Sequence, residues 1–128
     1  MKVLLDTCTV LWATLSPSSL SREAASIIAD EGNVILVSSA SAWEIATKTR
    51  LGRLRGAEKL ERDFLDVIDG AGYTPLTIDL ESALRAGRLV AAHRDPFDRM
   101  LAAQALGSDS PLLSPDEQLD QFGVRRIW

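Results

Sequence analysis

Val3-Leu4-Leu5-Asp6 is the stretch on which the fold turns: three apolar residues in unbroken succession, closed by a carboxylate. A strand with one wet face alternates apolar and polar residues. An unbroken run reads instead as a strand covered on both faces, the habit of parallel sheets. Working outward, Asn33 to Ser38 (NVILVS) repeats the pattern, and Pro111 to Ser114 (PLLS) is a shorter version of it. Tyr73 to Ile78 (YTPLTI) is a further run in which Pro75 points to a sheet edge. Val124 to Trp128 is a candidate edge strand. Helices are expected between these runs: Ser21 to Glu31 closed by Gly32, Ser41 to Leu51 ended by Gly52, Ala57 to Asp69, Leu80 to Val90, and Pro96 to Leu106. The Ala57 helix sets Leu60, Phe64, Leu65, Val67 and Ile68 at helical spacing, which reads as a core stripe. Strands alternating with helices give an α/β class: a short parallel sheet flanked by helices on both sides, as one domain over residues 1–128.

Length and composition fit that reading. A chain of 128 residues with 46% hydrophobic and 25% charged content is ordinary for a globular protein. No apolar run is long enough to span a bilayer, and Asp6 interrupts the first one too soon for a secretory signal. Cys8 is the sole cysteine, so no internal disulfide can form, and a cytoplasmic location is expected. The net charge of −4 argues against a passive nucleic-acid binder. Its distribution is uneven, however. Thr47 to Gly56 carries Lys48, Arg50, Arg53 and Arg55 with no acid among them, and Arg85, Arg88, Arg94 and Arg99 form a second basic set. These are solvated helix faces or a phosphate-gripping strip.

In an open parallel α/β sheet, sites form beyond the carboxyl ends of the strands. Asp6 ends the first strand, and Glu44 lies in the first turns of the helix after the second. Asp79 follows the third strand, Asp116 stands just past the fourth, and Asp95 and Asp98 open the Pro96 helix. Acids from distant positions therefore converge on one rim. Each also has a local explanation. Ser114-Pro115-Asp116-Glu117 reads as a capping box with Ser at N-cap and Glu at N3, while Asp95, Asp79 and Asp6 can cap helices. Glu44 can pair with Lys48 one turn on. Glu44 fits that local explanation least well, because Ala42-Trp43-Glu44-Ile45-Ala46 is an apolar setting in which an uncompensated carboxylate is costly. Clustered carboxylates need a counter-charge. Oxygen-only donors favour Mg²⁺ or Mn²⁺ over Zn²⁺. With His93 the sole histidine, schemes built on Ser-His-Asp, Cys-His or paired histidines have little to draw on. Metal-assisted attack of water on a phosphodiester remains. His93 itself reads as a hydrogen-bonded structural residue, and Trp12, Trp43 and Trp128 as packing residues.

LLDTCTVLW (Leu4 to Trp12), SASAWEIATKTRLGRL (Ser39 to Leu54), HRDPFDRMLAAQA (His93 to Ala105) and LLSPDEQLDQFGV (Leu112 to Val124) together resemble PIN-domain proteins of the VapC toxin type, in order and in interval. The resemblance implies the PIN fold and a Mg²⁺- or Mn²⁺-dependent endoribonuclease leaving 5′-phosphate and 3′-hydroxyl ends. It implies Asp6, Glu44, Asp98 and Asp116 as catalytic, metal-binding acids, with Asp6 and Asp98 foremost. Thr7 would steady Asp6 or a bound water, and Asp95 and Ser114 would assist. Lys48, Arg50, Arg53 and Arg99 are the expected RNA contacts, although Arg99 could equally pair with Asp95. Relatives commonly read Thr-Ala-Asp or Thr-Arg-Asp at the fourth acid, whereas this chain has Ser114-Pro115-Asp116. The resemblance further implies a VapB-like antitoxin whose arginine blocks the acidic groove, and a homodimer, with the Ser21 and Ala57 helices as candidate contact faces. No membrane partner is expected.

Three other readings compete. One is a PIN nuclease of RNA processing without a toxic role. Another is a dehalogenase-like phosphatase, suggested by LLDTCT, but Cys8 stands where that chemistry wants a second Asp. The last is a non-catalytic binding module whose acids merely cap helices or hold a structural ion.

Overall fold

The computed structural model describes residues 1–128. Its strands are β1 (Lys2–Leu5), β2 (Val34–Ser38), β3 (Thr74–Leu76), β4 (Leu112–Leu113) and β5 (Arg126–Ile127). They form one sheet in the order β3-β2-β1-β4-β5, and every pairing is parallel. Register follows the apolar runs: Val3 lies against Ile35, Leu4 against Leu36 and Leu112, Leu5 against Val37 and Leu113. Because side chains alternate across a strand, the three central strands feed two cores. Val3, Leu5, Ile35, Val37 and Leu113 pack on one face with Val10, Ala24, Ile45 and Ile68. Leu4, Leu36 and Leu112 pack on the other with Ala40, Leu101, Ala102, Ala105, Leu119 and Phe122. Both faces are covered, as the unbroken runs require. Pro75, which has no amide hydrogen to donate, sits on edge strand β3.

The helices are α1 (Thr7–Leu15), α2 (Arg22–Ala29), α3 (Ser39–Arg50), α4 (Glu58–Arg62), α5 (Phe64–Gly70), α6 (Leu80–Arg88) and α7 (Pro96–Gly107), with 3₁₀ turns at Pro17–Ser19 and Glu117–Phe122. Side-chain caps start most of them: Asp6, Ser21, Ser38, Asp79 and Asp95 each accept an amide hydrogen of the first turn. Ser38 also explains why α3 begins earlier than the apolar pattern suggested. It ends β2 and accepts from the Ala40 amide at 3.0 Å, so strand passes into helix without a loop. Gly52, at φ +72°, stops α3 in the left-handed conformation that glycine adopts freely.

Two expectations fail here. The helix over Ala57 to Asp69 is in fact two helices broken at Asp63. The break turns Phe64 and Ile68, one turn apart in α5, toward the sheet and leaves Leu65 84% exposed, outside the proposed stripe. The capping box at Ser114 is also absent. The cap of the 3₁₀ turn is Asp116, which accepts from the Gln118 amide at 2.9 Å.

Candidate active site

Asp6, Glu44, Asp98 and Asp116, drawn from the end of β1, from α3, from α7 and from the segment after β4, line one cleft with Thr7, Cys8, Lys48, Asp95 and Pro115. The cleft opens at the carboxyl edge of the sheet, where an α/β fold places its ligands. Asp79, capping α6 at the exposed end of the β3 connection, is not part of it.

Asp6 is the most firmly held of the acids. One carboxylate oxygen accepts from the Thr9 amide at 2.7 Å and so caps α1, while the other accepts a short hydrogen bond from Ser114 Oγ. Burial pushes its carboxyl above the usual aspartate range against those two bonds, and the charge of Asp116 adds to the rise. Ser114, fully buried, also accepts from the Asp116 amide at 3.0 Å, so one hydroxyl ties the first acid to the fourth. Thr9 is a residue the sequence reading missed. Its hydroxyl donates to the Leu113 carbonyl at 2.9 Å and fixes α1 to β4. Its position three residues after a capping acid was the available signal. The Thr7 hydroxyl donates to Ser41 Oγ at 3.0 Å and not to Asp6, the first of its two expected partners.

Glu44 is only 6% exposed. Its Oε2 pairs with Lys48 Nζ one turn on, as the local explanation foresaw, but Oε1 is buried with no hydrogen-bond partner. Buried polar atoms are ordinarily satisfied, so this oxygen is an unmet demand facing the cleft. Asp98 accepts from His93 Nε2 at 2.7 Å. Burial raises its carboxyl to about 6 in spite of that bond, with the charges of Asp95 and Glu44 adding to the effect. Asp95 caps α7, accepting from the Phe97 and Asp98 amides at 2.9 and 3.2 Å. The Cys8 thiol is pushed up to about 11 by burial and by the charges of Asp6, Glu44 and Asp116, so it is an inert neighbour in the cleft at neutral pH. As placed, no three acidic, histidine or cysteine side chains are close enough to grip an ion without a side chain moving.

Of the basic residues, Lys48 lines the cleft, and Arg50 and Arg53 are exposed beyond it. Arg99 requires a correction. Its guanidinium donates to the Ala86, Leu89 and His93 carbonyls and does not pair with Asp95, which leaves two of its five N–H groups uncommitted. It clamps the connection between α6 and α7, including the backbone of His93. Trp12 and Trp128 pack together at 5.6 Å, but Trp43 is 61% exposed and is not a core residue.

Comparison with known proteins identifies the fold and the family. Ribonuclease VapC16 of Mycobacterium tuberculosis is 42% identical over 57 residues, a match spanning 44% of this chain and 40% of that protein's length. The crystal structure of VapBC2 from Rickettsia felis, bound to a DNA fragment from its promoter, superposes with a TM-score of 0.73 at 13% identity, covering 100% of this chain and 99% of that one. FitAcB from Neisseria gonorrhoeae gives 0.64 at 17% identity, covering 98% and 96%. At such identities the likeness is one of fold. The family model described as the PIN domain matches residues 3–124, from the first buried strand past the fourth acid, and the chain belongs to the PIN-domain family.

Proposed function

We propose that this chain, residues 1–128 acting as a single PIN unit, is a Mg²⁺- or Mn²⁺-dependent endoribonuclease and the toxin of a type II toxin–antitoxin pair in the cytoplasm. The observation that carries the reading is the meeting of Asp6, Glu44, Asp98 and Asp116 in one cleft, from four separate elements. The donor chemistry of the cleft fits a hard divalent cation, which the acids would grip once their side chains close on it. The four acids offer oxygen donors only, Glu44 Oε1 is buried and unbonded, and burial, with the charges of Asp95 and Glu44 adding to it, raises Asp98 to about 6. Asp6 and Asp98 are the foremost ligands, with Glu44 and Asp116 completing the set. When bound, such an ion supplies a Lewis acid for the phosphate and lowers the pKa of an attacking water.

The chain's own residues do the rest. Thr9 and Ser114 fix the orientation of Asp6, and His93 fixes that of Asp98. Lys48 neutralises Glu44, and Arg50 and Arg53 offer charge to the flanking phosphates. An antitoxin and a second copy of the chain are the proposed protein partners. The likeness to the VapBC2 and FitAcB structures supports a partner. So do Leu65, Leu80 and Val90, which stand at least 84% exposed. No helix is long and apolar enough to cross a membrane.

The test is incubation of total cellular RNA with wild type and with Asp6→Asn, in Mg²⁺, in Mn²⁺ and in EDTA. Cleavage by wild type alone, stopped by chelator and leaving 5′-phosphate ends, is the expected result. Equal cleavage by the variant overturns it.

A further inference from the structure

Trp43 and Glu44 are consecutive in α3, and Phe97 and Asp98 are consecutive in α7. Each helix therefore carries an aromatic residue next in sequence to a cleft carboxylate, the two side chains projecting about 100° apart around the helix. The two rings meet edge to face, centroids 4.9 Å apart at 76°. They border an open cavity of about 200 Å³ that Ile78, Ala86, Pro96 and Met100 help to line. Trp43 is 61% exposed, while Ala40 and Ile45 on the same helix are buried. Full burial of a large apolar side chain is worth ~1.5–3 kcal/mol, and this indole forgoes much of it. Cavities that hold drug-sized ligands measure ~300–1,000 Å³. A space of about 200 Å³ takes one flat ring system and is too small for the face of a helix.

We propose that Trp43, backed by Phe97, is a stacking platform for one RNA base, seated in this cavity while the adjoining phosphate lies over the carboxylates. The inference rests on the ribonuclease reading and names the substrate contact of that site. A nucleotide carries its base one sugar away from its phosphate, and the same two helices line both spaces, Trp43 and Phe97 the cavity and Glu44 and Asp98 the cleft. Every base presents a π-face, so the platform accepts any of them and favours purines by area. This single-stranded, unstacked base is also what sequence-selective RNA recognition ordinarily engages.

The experiment titrates fluorescein-labelled single-stranded RNA homo-oligomers into wild type, Trp43→Ala and Trp43→Phe, with Ca²⁺ replacing Mg²⁺ and strand integrity checked on a gel. Trp43→Ala is expected to weaken binding about 5- to 150-fold, the loss of one base–aromatic stack, while Trp43→Phe stays within about fivefold of wild type. A strand with an abasic nucleotide scanned through it is expected to bind wild type more weakly at one register and Trp43→Ala equally at all. Binding of intact RNA by Trp43→Ala with wild-type affinity overturns the platform and leaves the nuclease reading standing. Trp43→Ala losing a protein partner while keeping its RNA affinity overturns it in favour of a protein interface. No RNA binding by any form overturns the ribonuclease reading itself, and the platform with it.

Discussion

Asp98→Asn should make the metal-free protein more stable at neutral pH while removing one of the proposed metal ligands. The Asp98 carboxyl stands at about 6, against 3.8 for an ordinary aspartate, because burial and the charges of Asp95 and Glu44 disfavour its ionised form. A carboxyl whose folded pKa exceeds its unfolded value binds its proton more tightly in the folded chain. Its favourable contribution is complete below pH ~4 and is lost as pH rises through ~6. The displacement corresponds to ~3 kcal/mol at ~1.36 kcal/mol per pH unit. Because 21% of the side chain meets solvent, screening reduces this to about 1–2 kcal/mol. Asparagine never ionises and still offers an oxygen to His93 Nε2. In EDTA at pH 7.5, ~1–2 kcal/mol in a chain of this size raises the melting temperature of the variant above wild type by roughly 3–8 °C.

The assay is thermal unfolding followed by circular dichroism from pH 4 to pH 8, in EDTA and in Mg²⁺. The advantage of Asp98→Asn should be full above pH ~7 and vanish near pH ~4. In Mg²⁺ the order should narrow or invert, since an ion at a hundred times its Kd stabilises only the wild type, by ~2.7 kcal/mol. An Asp98→Asn protein no more stable than wild type at pH 7.5 in EDTA would refute the reasoning. So would an advantage that does not change with pH.

Lys48→Met removes the only partner of a carboxylate that is 6% exposed. With the Lys48 side chain itself 35% exposed, the destabilisation in EDTA should be about 1–2 kcal/mol by urea unfolding, and Mg²⁺ should recover part of it. Ser114→Ala strips a hydrogen bond from Asp6 and an acceptor from the Asp116 amide at a fully buried position, so a loss of about 1–3 kcal/mol is expected by the same measurement. Arg99→Met releases the Ala86, Leu89 and His93 carbonyls, and amide hydrogen exchange should accelerate between α6 and α7 before it does elsewhere.

What could be read from the sequence was what periodicity and end signals encode. Three unbroken apolar runs gave the central strands, Pro75 gave an edge, and Asp and Ser residues before helical stretches gave the starts. The acids were legible because a carboxylate directly after a buried strand, or inside Trp43-Glu44-Ile45, conflicts with its surroundings. What was not legible depends on which way elements turn in space. A change of direction at Asp63 put Leu65 outside, and nothing in helical spacing announces such a break. Arg99 bonds to backbone carbonyls, which every residue possesses and no sequence distinguishes. Trp43 was assigned to packing by residue type, whereas α3 buries Ala40 and Ile45 and turns the indole out. Ser114 was read as the first residue of a helix cap, but its hydroxyl had a stronger demand to meet, from a buried Asp6.

Capping and ligand binding, set against each other when these acids are taken singly, are complementary in the folded chain. A helix N-terminus offers free amide hydrogens and partial positive charge, so a carboxylate can stand at the sheet edge there at reduced cost. Asp6, Asp95 and Asp116 each use one oxygen in this way. That fixes their direction without exhausting their capacity, because an ionised carboxylate accepts several bonds. Glu44 and Asp98 occupy helix positions past the cap. One therefore keeps a buried oxygen with no donor, and the other is held at about 6 by burial and its neighbours. Under the proposed reading, the capping acids supply the frame of the cleft, and Glu44 and Asp98 supply the unmet demand that a cation would answer. A cleft built only of caps would have little reason to bind a cation, and one built only of unmet acids would resist folding. This chain divides the two tasks among carboxylates that the sheet brings to a single rim.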